Sequence, residues 1–205
     1  MANPRPYHHG SLESSIIDLA IVEIERVGYE KLSLRELASA VGVSRGAPYR
    51  HFPSRLNFLE AVIAQGLKIM NAQLEQAASQ HSDPIGKVRA VFDRFLRFAE
   101  DHPQLYRLCF ASDMFIQSHP DEEFKQEAHR RFSFFAGYIA LLAPHLAPKD
   151  VEMRTVACWS FLHGFAVLST TQRIFHVIGG TERVEESRRL VVEQCLHLPG
   201  LDIKY

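Results

Sequence analysis

Apolar residues recur at intervals of three and four along nearly the whole chain, and that spacing leaves few architectures open. Residues 12 to 27 place Ile16, Ile17, Ala20, Ile21, Ile24 and Val27 on one stripe, the period of an amphipathic helix. Further on, Ile85, Val88, Phe92, Phe95, Leu96 and Ala99 form a second stripe, and Phe132, Phe135, Ala136, Ile139 and Leu142 a third. A long helix is expected from 149 to about 177 and a last one from a Thr181 cap to about His197. No segment keeps the two-residue alternation of a strand, so the expected fold is all-α.

Breakers and caps divide this helical material. Gly28 stops the first helix. "SLRE" (Ser33 to Glu36) is a capping box opening a short helix that ends near Val41-Gly42. Ser44 is expected to cap another short helix through Phe52, with Pro53-Ser54 as the break before a long helix from about Arg55 into the late seventies. Asp83 and Pro84 start the next helix, and His102-Pro103 ends it. A short helix then carries Leu105, Tyr106 and Phe110.

Charge is distributed unevenly over this scaffold. The chain's 205 residues carry a net charge of −1, yet residues 31 to 55 hold Lys31, Arg35, Arg45, Arg50 and Arg55 against Glu36 alone. A compact basic patch on a near-neutral chain fits a surface that faces nucleic acid. Apolar runs are short and interrupted by charge, which excludes a membrane span, and "MANPRPYHHGS" lacks the apolar core of a secretion signal. A cytoplasmic location is therefore expected. Cys109, Cys158 and Cys195 are too scattered for a disulfide framework and read as buried thiols. Glu122, Glu123 and His129, or His8-His9, lack the further ligand that a metal site needs. No cofactor is expected.

The basic patch lies on two short helices joined by "VGVS", a helix-turn-helix arrangement in which Gly42 supplies a left-handed residue. Ala38 and Val43 are suited to holding the two helices together. Gly46 and Ala47 leave a face without bulk, and Pro48 forfeits one backbone bond. Arg45 is placed to reach a guanine edge in the major groove, while Tyr49, His51 and Arg55 suit phosphate oxygens. Phe52 reads as packing.

"LSLRELASAVGVSRGAPYRHFPSRLNFLEAVI" (32 to 63) resembles the DNA-binding domain of the TetR-type (tetracycline repressor) transcriptional regulators, with its A-x-x-x-G-V-S and Y-x-H-F pattern. "PYHHGSLESSIIDLAIVEIERVGYEKLS" is similar to the family's first helix and arm. The resemblance implies a DNA-binding domain over residues 1–70, with its motif at about 33–52. Residues 71–205 would then bind an effector and form a dimer. It further implies Ser33 and Arg35 near the DNA backbone, Ser44, Arg45, Gly46, Ala47, Pro48 and Tyr49 as the reading segment, and Tyr49, His51 and Arg55 as phosphate anchors. Arginine stands at 55 where lysine is usual in the family.

The second half carries "CWSFLHGF" (158 to 165), which resembles the W-x-x-x-H-G signature of some TetR-type C-terminal domains. Trp159 and His163, four apart, share a helix face, either as a core pair or as ligand contacts. By resemblance, the last two helices would form a four-helix interface with a second copy. The aromatic helices from 85 to 142 would surround a small-molecule effector, with Phe95, Tyr106, Phe110, Phe132, Phe135 and Tyr138 as candidate contacts; the same residues suit an ordinary core. The expected partner is double-stranded DNA with a palindromic operator, because one short reading helix covers too few base pairs. A DNA-binding regulator or activator of the same fold without a small effector is the alternative. Nothing in the sequence pairs a nucleophile with a base, so no enzyme is expected.

Overall fold

The computed structural model describes residues 12–112, 122–171, 180 and 182–198, with the backbone alone at 122–128 and 131. The described residues form α1 (Leu12–Val27), α2 (Leu34–Ala40), α3 (Arg55–Ser79), α4 (Pro84–Asp101), α5 (Pro103–Phe110), α6 (Glu122–Leu142), α7 (Pro148–Thr171) and α8 (Glu182–Leu196). Short 3-10 turns occupy Tyr29–Lys31 and Ala47–Arg50. No strand occurs among the described residues, and the fold is all-α. The Thr181 cap, the extension of α7 towards 177, the N-terminal arm with His8-His9, and the side chains of Glu122 and Glu123 lie outside the described residues.

The chain divides into two compact units. The first comprises residues 1–69 together with 104–111, and the second comprises 70–103 with 112–205. Residues 104–111 thus cluster with the helices that precede residue 70, a long-range association that no sequence pattern announces.

In the first unit Ile16, Ala20 and Ile24 of α1 are fully buried, as the three-four spacing requires. Gly28, at φ 77°, ends the helix, its N–H donating to the Ile24 carbonyl at 2.8 Å. Phe52 and Phe58 pack edge to face with ring centroids 5.3 Å apart, and both are buried. That bears out Phe52 as a packing residue.

In the second unit α4 packs on α6, α7 and α8, and α7 packs on α6 and α8. Val88, Val91, Phe92, Phe95 and Leu96 of α4 are wholly buried at its centre. Asp83 caps the helix, accepting from the Gly86 N–H at 2.7 Å. This contact holds the Asp83 carboxyl below the usual carboxylate range. Cys158 and Cys195 are buried between α7 and α8, each thiol directed at the other's backbone carbonyl, at 3.6 and 3.8 Å. The hydrogen bond to Cys158, with burial, raises the Cys195 thiol pKa far above its ordinary value. With Cys109 these are buried thiols outside any disulfide, as the sequence led us to expect.

A charge network ties α8 to α4. Arg188, 2% exposed, donates to Asp93 at 3.0 Å and Glu100 at 2.5 Å and also pairs with Glu185. Arg97 bridges Asp93 and Glu185 at 2.8 and 3.3 Å, and Arg89 pairs with Glu193 at 2.7 Å. Burial raises the Glu100 carboxyl above its usual range despite Arg188 nearby. Removing one partner of a buried pair leaves the others desolvated and unmatched, at about 3–5 kcal/mol. Asp93 and Glu185 remain about a third exposed, so the lower end applies here. We expect Arg188→Ala to reduce the free energy of urea unfolding by about 3 kcal/mol. A loss below about 1 kcal/mol, the range of solvated surface pairs, would mean that water already carries these carboxylates.

Candidate nucleic-acid interface

Helix α2 is set at both ends by sequence-local chemistry. Ser33 Oγ accepts from the Glu36 N–H at 3.4 Å, the first half of the expected capping box. At the other end Gly42 takes φ 81°, the Gly42 N–H donates to Ser39 O at 3.2 Å, and the Val43 N–H donates to Ala38 O at 3.0 Å. This pair of bonds is a Schellman termination, satisfying carbonyls that a helix end leaves open. Ala38 is fully buried beneath the turn.

The segment after the turn differs from expectation. A helix from a Ser44 cap to Phe52 was expected, but Ala47–Arg50 is a 3-10 turn preceded by Gly46, which makes no side-chain capping bond. Pro48 is the physical reason. It has no N–H to give to the Ser44 carbonyl, and its ring would crowd that oxygen in an α-helix. The Ala47 N–H takes the Ser44 carbonyl instead, at 3.0 Å, and the coil tightens to three residues per turn.

That geometry places the candidate residues unequally. Arg35, Ser44, Arg45, Gly46, Tyr49, Arg50, His51 and Arg55 are exposed, Ser33 and Ala47 are half-buried, and Pro48 is buried. Pro48 therefore shapes the segment from within. The Tyr49 ring stands 44% exposed next to Arg50 and His51. His51 Nδ1 lies 3.6 Å from the Glu13 carboxylate, a contact that strengthens when the imidazole is protonated. Arg55 donates to the carbonyls of Tyr29 at 2.5 Å and Glu30 at 3.1 Å, which fixes the guanidinium at the start of α3. An exposed row of cations, a phenol and an imidazole on a rigid turn is equipped to donate hydrogen bonds to phosphate and base edges.

The candidate effector contacts do not form one group. Tyr106 and Phe110, 4.9 Å apart, belong to the first unit, and burial raises the Tyr106 phenol pKa far above its ordinary value. In the second unit Phe95, Phe135 and Trp159 form a mutually packed triad with centroids 5.1–5.4 Å apart. His163 lies parallel to Trp159 at 6.2 Å, and its burial holds the imidazole below its usual pKa. Phe132 is half-buried on α6. Tyr138 packs edge to face with Phe134 at 5.3 Å and, with Phe134, Gly137, Leu141, Ala78, Glu75 and Lys87, lines an open, mainly apolar groove of ≈ 550 Å³. Burial, then Glu75, raises the Tyr138 phenol pKa. A second groove of ≈ 800 Å³ runs beside the Arg89, Arg97 and Glu185 pairs.

Sequence reasoning passed over Phe134, Arg188 and Arg107. Phe134 is out of phase with the apolar stripe of its helix. Arg188 stands in "EESRRL", which reads as a solvated charge run, and only the Glu185–Arg188 spacing of three hinted at pairing. Among the described residues no three His, Cys, Asp or Glu side chains converge as metal ligands. No described helix is long and apolar enough to cross a membrane.

Comparison with known proteins agrees with this geometry. Residues 16–62 match the family described as "Bacterial regulatory proteins, tetR family", and residues 88–194 match "Tetracyclin repressor-like, C-terminal domain". The HTH-type transcriptional activator FasR of Mycolicibacterium smegmatis is 32% identical over 110 residues, 54% of this chain and 48% of that protein. The nucleoid occlusion factor SlmA of Vibrio vulnificus is 32% identical over 81 residues, 40% of this chain and 41% of that protein. The chain thus spans about half, or less, of the curated relatives it matches. A solved structure from Rhodococcus sp. RHA1, described as a protein with unknown function, has a TM-score of 0.73 and 26% identity, covering 93% of this chain and 98% of that one.

The His163 environment gives a pH-dependent expectation. With the folded pKa below the usual histidine value of about 6.5, the unfolded chain takes up a proton first as the pH falls. The contribution is fully present above that value and is lost as pH falls towards the depressed folded pKa. His163→Phe should therefore melt with a flatter acid-side dependence than the parent between about pH 5 and 7. Parallel curves for the two proteins would show that the imidazole titrates as freely in the fold as outside it.

Proposed function

Because the chain belongs to the TetR family of DNA-binding transcriptional regulators, we propose that it is a homodimeric repressor released from a palindromic operator by a small-molecule effector. The observation that carries the DNA-binding half of this reading is the exposure of Ser44, Arg45, Gly46, Tyr49 and Arg50 beyond the Gly42 turn. Arg45, at its start, is assigned to a base edge. Ser33, Arg35, Tyr49, His51 and Arg55 are assigned to the backbone, with Gly46 and Ala47 allowing close approach. A protein of this kind acts in the cytoplasm, where its DNA is, and performs no catalysis.

Dimerisation is supported by the outer face of α7. Met153, Val156, Phe161 and Leu168 stand 47–61% exposed, and the small residues Ser160 and Gly164 lie among them. On α8, Leu190 is 60% exposed. Apolar side chains in a contiguous stripe mark an association surface. A second copy is the natural occupant, since a palindrome requires two-fold symmetry. Gly164 is exposed and a Cβ added there meets no described atom within 4 Å, so Gly164→Arg is expected to leave the protomer folded. It should nonetheless yield a monomer in sedimentation and abolish operator binding. A parent protein that sediments as a monomer at operator-binding concentrations would refute the symmetric reading.

Effector control is supported by the aromatic lining of the second unit and the groove beside Phe134, Tyr138 and Leu141. The second reading is an activator of the same fold, favoured by the likeness to a protein named as an activator. Selection of bound duplexes from a random pool, followed by a screen for compounds that release the protein, separates the two. Release by a compound supports the repressor. Compound-independent binding with increased transcription supports the activator.

Arg45→Ala is expected to alter base preference at one position as well as to weaken binding, because a bidentate guanine contact discriminates by about 1–3 kcal/mol. Equal weakening on all sequences would reassign Arg45 to phosphate.

A further inference from the structure

The turn Tyr29–Lys31 is gripped from two directions within the first unit. From the start of α3, Arg55 donates to the Tyr29 and Glu30 carbonyls at 2.5 and 3.1 Å. From α5, the Arg107 guanidinium lies over the Tyr29 ring, 5.0 Å from its centroid, and pairs with the Glu30 carboxylate. Segment 104–111 is itself moored. The Glu25 carboxylate accepts from the Gln104 and Leu105 N–H groups at 3.1 and 2.9 Å, filling donors that a helix N-terminus leaves open. Leu105, buried, packs on Gly66 of α3 so closely that an added Cβ would stand 2.9 Å from its methyl carbon.

Two cations share this turn because they use different groups. Arg55 takes the carbonyls, and Arg107 takes the aromatic face and the carboxylate. The Glu30 side chain is about half exposed and its backbone lies within reach of Arg55. Without Arg107, that carboxylate loses its cation while its own backbone carbonyl stays bonded to the Arg55 guanidinium. An arginine engaged bidentately by a carboxylate offers little to a phosphate.

We propose that Arg107 is a positioning residue for DNA binding: by occupying Glu30 and Tyr29 it braces the turn and keeps the Glu30 carboxylate off Arg55, leaving outward N–H groups of Arg55 for a DNA phosphate. The proposal rests on the phosphate role given to Arg55 above. It assigns a function in DNA affinity to a residue 52 positions away in sequence, on a segment with no resemblance to a DNA-binding motif.

The test is the dependence of log affinity on log salt for a non-specific duplex, measured on the full chain after titration of its binding-competent fraction. Arg55→Ala should lower the slope by about one unit, the signature of one lost phosphate contact. Arg107→Gln should lower it similarly, and the double variant should fall no further than Arg55→Ala alone. Adding Glu30→Gln to Arg107→Gln should restore the parent slope, which a generally loosened fold does not do. An unchanged slope in Arg107→Gln, additive losses in the double variant, or no recovery with Glu30→Gln would each overturn the role of Arg107 while leaving Arg55 on phosphate. An unchanged slope in Arg55→Ala would overturn the phosphate reading itself, and the proposal with it.

Discussion

Gly42 holds φ at 81°, a conformation that costs an ordinary L-residue about 1–2 kcal/mol, and the exposed basic segment depends on that one backbone angle. Were α2 to continue, Val43 and Ser44 would extend the helix, and the cations beyond them would be spread around a cylinder. Instead the chain reverses and the Val43 N–H closes on Ala38 O. Pro48 then denies the segment an α-helix, so Tyr49 and Arg50 project from a tight 3-10 coil, with Arg45 in the turn just before it. Two conformational constraints in sequence thus decide which side chains face solvent. Neither involves a charge.

Charge is used in opposite ways by the two units. In the first, Arg35, Arg45 and Arg50 are exposed, and Arg55 alone among the basic residues of the turn region is braced by carbonyls. A guanidinium held this way loses little further side-chain entropy on meeting a phosphate. In the second, one arginine turns inward and others pair at the surface. Arg188 is buried and satisfied by three carboxylates, and Arg97 and Arg89 extend the pairing along α4 and α8. Such a network contributes modestly to net stability, since desolvation offsets most of the attraction. Its clearer consequence is register: a shift of α8 by one turn would strand all of these carboxylates at once.

Phe95 and Phe135, both buried, meet the half-buried Trp159 of the W-x-x-x-H-G stretch. Trp159 faces Phe95 and Phe135 at van der Waals separations, so its ring is part of the packing between α4, α6 and α7. His163 continues the stack towards a half-buried position. Spacing placed the pair on one face, but which neighbours that face meets is a tertiary matter.

The sequence by itself determined the helical class, the helix ends at Gly28, Gly42, Asp83 and His102, and the patch of cations around Arg45. These follow from local rules: apolar periodicity, a left-handed glycine, a capping carboxylate, a proline. Local rules also carried an error at Ser44, expected to cap a helix through Phe52, because Pro48 removes the bond that such a helix needs four residues on. Only the tertiary structure decided that residues 104–111 join the first unit, that Arg107 and Arg55 meet on one turn, and that Arg188 is buried. Those are contacts between segments dozens of residues apart, fixed by which apolar faces find each other. An arginine in a charged run looks the same in sequence whether water or three carboxylates will surround it.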